Sequence, residues 1–107
     1  MWDNTKKQLD EAVRLHKSEP DPDFRLVSDL SIQNAYEYIE SARWAADRYC
    51  AEYAEPSWVS LFDGEVIFYW YYGEGHRRYI YIENDDLSTM DVKPGSEAVW
   101  SECTFHH

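Results

Sequence analysis

Between two apolar runs, Trp58-Val59-Ser60-Leu61 and Val66-Ile67-Phe68-Tyr69-Trp70, lies Phe62-Asp63-Gly64-Glu65. Asp-Gly accepts the positive φ angles of a two-residue hairpin turn, so it is the strongest short-range signal for two strands folding back on each other. Such a turn places Phe62 opposite Glu65, Leu61 opposite Val66 and Val59 opposite Phe68. Side chains alternate along a strand, and Val59, Leu61, Val66, Phe68 and Trp70 therefore share one face. A second turn over Gly73-Glu74-Gly75-His76-Arg77, read as a five-residue loop, sets Trp70 opposite Ile80 and Phe68 opposite Ile82. That extends the same apolar face. The other face then carries Trp58, Ser60, Ile67, Tyr69, Tyr71, Tyr79 and Tyr81, edged by Glu65 and Glu83. A further strand over 87–92 follows Asn84-Asp85-Asp86, and Lys93-Pro94-Gly95-Ser96 is a turn. The last segment, with Val99, Trp100 and Phe105, is ambiguous.

Upstream the period changes from two to helical. Leu9, Ala12, Val13 and His16 predict a helix over 4–17, and Thr5-x-x-Gln8 has the form of a capping box. Glu19-Pro20-Asp21-Pro22 ends it, and 20–28 form a connection. A second helix is predicted from Ser31 to Glu55, with Ile32, Ala35, Tyr36, Ile39, Ala42, Ala46, Tyr49, Cys50 and Tyr53 on one stripe. Its alanines let a flat sheet approach, and Pro56 stops it. The expected fold is α+β, in one domain spanning 1–107. Two N-terminal helices precede a three- to four-stranded antiparallel β-meander packed on the second helix.

Acidic residues outnumber basic ones, 21 to 10, for a net charge of −11. The excess is spread along both halves, which assigns it to a folded surface. Direct binding of a phosphate backbone is disfavoured, since that needs clustered Lys and Arg. Binding a basic protein surface is favoured, with electrostatic steering of the encounter. Net charge also serves solubility. No signal-peptide pattern follows Met1-Trp2-Asp3-Asn4-Thr5-Lys6-Lys7, and no apolar run nears the roughly 20 residues of a membrane span. The expected location is the cytoplasm, where Cys50 and Cys103 are reduced and structural.

Motifs for chemistry are weak. Cys103-x-x-His106-His107, with His76, has acceptable softness for zinc but lacks a second ligand pair of recognisable spacing. Asp63, Glu65, Asp85 and Asp86 could supply an acid/base dyad, but they sit in turns, where Asp serves the backbone. Ser57, Ser60 and Ser88 lie in no nucleophile-elbow context. Gly73-Glu74-Gly75 is a hairpin loop rather than a phosphate cradle, and Arg77-Arg78 is a lone basic pair. Neither an enzyme activity nor a cofactor is expected.

Interaction residues are clearer. Trp44 falls about 120° from the centre of the second helix's apolar stripe. It lies among Glu37, Glu40, Asp47 and Arg48, the composition of an interface anchor in a mainly acidic field. Burial under the first helix or the 20–28 connection would account for Trp44 equally well. Tyr69, Tyr71, Tyr79 and Tyr81, with Glu83 at the edge, form a face suited either to a partner or to a covering helix.

The run from Pro56 through Asp63-Gly64 to Trp70, followed by Arg78-Tyr79-Ile80-Tyr81-Ile82, resembles a pattern of small bacterial and phage-borne α+β proteins of uncharacterised function. The chain is similar in size and charge to anti-CRISPR proteins, antitoxins and toxin-immunity proteins. The resemblance covers about a third of the chain and transfers no site residue. It implies an inhibitor that neutralises a partner, a defence complex or a toxin, by covering a basic, nucleic-acid-binding surface. The alternative is a small structural or regulatory domain that homodimerises through its Tyr-rich sheet face.

Overall fold

The computed structural model describes residues 2–49 and 54–104, with the side chains of 46–49 outside that description. Helices α1 (Asp3–Ser18) and α2 (Asp29–Tyr49) precede five strands. These are β1 (Trp58–Phe62), β2 (Glu65–Gly73), β3 (His76–Glu83), β4 (Asp86–Val92) and β5 (Val99–Thr104). They form one antiparallel sheet in the order β1-β2-β3-β4-β5, the α+β meander that the turn chemistry implies. The sheet has one strand more than the largest expected number, because the ambiguous last segment pairs with β4, Met90 opposite Trp100. Val99, Trp100 and Thr104 favour strand, while Ser101, Glu102 and Cys103 dilute the alternation that would have revealed it.

The first hairpin has the expected register, with Phe62 opposite Glu65 and Val59 opposite Phe68. Asp63 and Gly64 take φ of 47° and 85°, and a Cβ on Gly64 would also crowd Arg25 at 3.4 Å. The second hairpin differs by two positions: Phe68 faces Ile80, and Trp70 faces Arg78. Its turn is the tighter Glu74-Gly75 pair (φ 53° and 83°), and a bulge lies between Tyr71 and Gly73. A two-residue turn alone would set Trp70 against Tyr79 and send Ile80 and Ile82 to the wrong face. One extra residue restores the phase, so each residue keeps its expected face although its partner changes.

Val59, Val66, Phe68, Trp70, Ile80 and Ile82 are buried against the helices, meeting Ile32, Ala35, Ile39 and Ala42 of α2. Trp2 completes this core. It takes a left-handed φ of 68° before α1 and turns its ring edge onto Tyr38 (6.1 Å) and Trp70 (6.3 Å). Thr5 and Gln8 do not form a capping box. Thr5 lies inside α1 and donates its N–H and hydroxyl to Glu55 Oε1, both at 2.7 Å. Gln8 Oε1 accepts the Val59 N–H (3.1 Å), so α1 closes the outer edge of β1. Ala54 and Glu55 are outside α2, shorter there than its periodicity implies, and the Ala54 carbonyl accepts Trp70 Nε1–H at 2.8 Å. Cys50 and Tyr53 lie outside the described residues.

A polar clamp fixes α2 against the β3–β4 turn. Buried Asn34 donates Nδ2 to the Asn84 carbonyl (2.7 Å) and to Asp85 Oδ1 (3.3 Å), while Ser31 Oγ accepts the Asn84 N–H (2.7 Å). Asn34→Ala removes the buried donor that reaches that carbonyl. The expected loss is about 2 kcal/mol in urea unfolding, and a loss below about 0.5 kcal/mol would mean that the clamp is dispensable.

Candidate protein-interaction surface

The strand alternation that builds the core exposes the opposite face. The register aligns Trp58, Tyr69, Tyr79, Met90 and Trp100 in one row across all five strands. The rings of this row, joined past Met90 by Tyr81 from the neighbouring row, make a continuous ladder, with Trp58–Tyr69 at 5.0 Å, Tyr69–Tyr79 at 5.0 Å, Tyr79–Tyr81 at 5.9 Å and Tyr81–Trp100 at 5.9 Å. Among the described residues no element packs over it, since α2 meets β2 and β3 from the core side and α1 lies along β1. The Tyr face is open, and Trp100 at its end is 58% exposed.

Beside the ladder, at the end of the sheet holding the β1–β2 and β3–β4 turns, the face becomes acidic. A depression of about 300 Å³ is lined by Tyr81 together with Glu65, Glu83, Asp86 and Glu102. Glu83 sits directly opposite Asp86 in the β3–β4 register, an arrangement that costs the sheet stability. Arg25, from the 20–28 connection, relieves part of this by binding Glu83 Oε1 (3.1 Å) and Asp63 Oδ1 (3.3 Å). No Lys or Arg reaches ion-pair distance of Glu65, Asp86 or Glu102 among the described residues. Burial, then the charge of Glu83, pushes the Glu65 carboxyl above its ordinary range. Burial, then Tyr79 and Glu65, pushes the Tyr81 phenol up as well. The far end of the face carries Arg77, opposite Tyr71 on one side and Val92 on the other.

The residues that composition marks for interaction thus divide between two surfaces. Tyr69, Tyr71, Tyr79, Tyr81 and Glu83 lie on the sheet face. Glu37, Glu40 and Trp44 lie on α2, Trp44 59% exposed rather than buried under α1, and Glu40 meets Lys6 at 4.0 Å. Asp47 is helical, and its side chain lies outside the described residues. The sequence singled out neither Trp100 nor Glu102 as an interaction residue. Their place depends on β5, and the unassigned strand hid them.

Other candidate chemistry is dispersed. Cys103 is exposed on β5, His76 lies tilted against Tyr72 (4.5 Å) at the opposite end of the sheet, and His106 and His107 lie outside the described residues. The described residues hold no cluster of three or more metal-ligating side chains. Asp63 serves its turn, accepting the Arg25 backbone N–H at 3.1 Å, and Ser57 Oγ accepts the Tyr71 N–H at 3.1 Å. Arg78 is engaged by Asp91 at 2.9 Å. Among the described residues no helix is long and apolar enough to cross a membrane. No protein-family model, curated protein or solved structure matches the chain.

Proposed function

We propose that this chain is a protein-interaction module that takes a basic surface of another protein on its open sheet face and thereby neutralises that surface. The observation that carries this reading is the aromatic ladder running into an acidic depression. Guanidinium and ammonium groups stack on Tyr and Trp faces and pair with carboxylates, so one surface supplies both halves of cation recognition. The directly opposed Glu83 and Asp86 oppose folding, and a cationic partner turns that cost into affinity. A nucleic-acid-binding surface on a defence complex or a toxin has the required charge. Carboxylates would then stand where phosphates do.

The test is titration of the protein with an arginine-rich peptide across salt and pH. Affinity falls as salt rises from about 0.01 to 0.15 M, where the screening length drops from about 30 to 8 Å. Affinity also weakens on acidification from neutrality. The Glu65 carboxyl, raised by burial and by the charge of Glu83, takes up a proton as the pH falls, and a bound cation favours its ionised form. Binding therefore releases protons in that window. Affinity insensitive to both variables would remove the reading.

One observation favours a second reading, the homodimer. Arg77 and the carboxylates lie at opposite ends of the same face, so two copies stacked antiparallel would each place Arg77 over the other's depression. Light scattering distinguishes the two, because only the second requires a dimer without a partner.

A further inference from the structure

The two edges of the sheet are not equivalent. The outer edge of β1 is closed by α1, with Gln8 Oε1 accepting the Val59 N–H at 3.1 Å. The outer edge of β5 is paired with nothing among the described residues, and Val99–Thr104 is exposed along its whole length. Natural edges are blunted by lysine, proline, bulges or a covering element. This one has none of these, since Val99-Trp100-Ser101-Glu102-Cys103-Thr104 contains no proline, lysine or arginine and pairs with β4 in unbroken register.

We infer that β5 is the strand to which a partner adds an extended segment, and that the added strand is basic. The inference rests on the proposed binding of a cationic partner and specifies how it docks. A strand laid along β5 continues the sheet, so its alternate side chains stand on the open face beside Trp100 and Glu102. Glu102 lines the acidic depression with Glu65 and Asp86, so a basic residue there meets the carboxylates, and a guanidinium one step of the alternation away meets the Trp100 ring. Charge decides against a second copy as the occupant. Pairing β5 with itself would bring together two chains of net charge −11 and their Glu102 carboxylates.

The test compares three peptides of alternating arginine and valine on the full chain. One has an ordinary backbone. The other two are N-methylated at alternate residues, one in each phase, which removes the amide donors of one edge at a time while keeping every charge. The ordinary peptide should bind at least tenfold more tightly than the form methylated on the amides that face β5, the form methylated on the outward amides should bind like the ordinary one, and hydrogen exchange should slow at the amides of Val99–Thr104. Equal affinity for all three, with exchange at β5 unchanged, overturns strand addition while leaving the cationic-partner reading intact. Failure of all three peptides to bind removes both. A dimer in the peptide-free protein with β5 amides already protected would make the occupant a second copy and overturn the inference.

Discussion

Phe68→Ala is expected to lower stability by about 3–5 kcal/mol, whereas Tyr69→Ala, one residue along the same strand, should cost only about 1–2 kcal/mol. Phe68 is 0% exposed and packs its ring against Tyr38 at 5.0 Å and Trp70 at 6.4 Å, with α2 behind it. Its loss removes apolar burial and leaves a cavity that a closely packed interior cannot collapse. Tyr69 stands on the other face, stacked on Trp58 and tilted against Tyr79 but covered by no described element. Its truncation loses cross-strand contacts and opens no hole. Urea unfolding of the two variants with unchanged m-values reads the difference directly. Equal losses would mean that the aromatic face is covered and that the sheet has two cores.

The double charge reversal Asp86→Lys, Glu102→Lys should weaken binding of an arginine-rich partner by about 2 kcal/mol, roughly 30-fold, at low salt. Its effect on the fold should have the opposite sign. Asp86 faces Glu83 directly, so a lysine at 86 replaces a like-charge pair with an opposite-charge one, worth about 0.2–1 kcal/mol of added stability. Thr104 and Ser88, the cross-strand neighbours of 86 and 102, tolerate lysine. Binding by calorimetry and stability by urea titration should therefore move apart, the variant being at least as stable and far weaker in affinity. If both fall together, the acidic cluster has a structural role, and the reading of the face as a cation site is wrong.

Much of the fold is legible in the sequence because turn chemistry is local. Asp63-Gly64 sets the first hairpin register by itself. The second hairpin was legible only in its face assignment. The bulge between Tyr71 and Gly73 has no mark beyond a glycine, and only the even offset kept Phe68, Trp70, Ile80 and Ile82 on the expected side. Trp2 was not legible at all, because a single aromatic ahead of a helix has no period and its burial depends on a left-handed backbone turn. Thr5 and Gln8 match a capping motif but serve tertiary contacts with Glu55 and the edge of β1, a case in which distant partners override local propensity.

The candidate surface was half legible. Tyr69, Tyr79 and Tyr81 follow from alternation alone, but the ladder's far end and the acidic depression depend on β5 bringing Trp100 beside Tyr81 and Glu102 beside Ser88. Composition alone also grouped the sheet face with Glu37, Glu40 and Trp44, which the fold places on a separate helix. A flat partner can cover one of these surfaces. The sheet face joins aromatic rings to a carboxylate cluster, and α2 offers a tryptophan without a comparable concave acidic site among the described residues.

The most direct measurement is an amide and indole chemical-shift titration of the labelled protein with an arginine-rich peptide at low salt. Shifts should concentrate at Tyr69, Tyr79, Tyr81, Trp100 and Glu102, include the Trp100 indole N–H, and leave the residues around Trp44 unmoved. Shifts centred on Glu37, Glu40 and Trp44, or spread evenly over the acidic surface, would contradict the assignment of binding to the open sheet face.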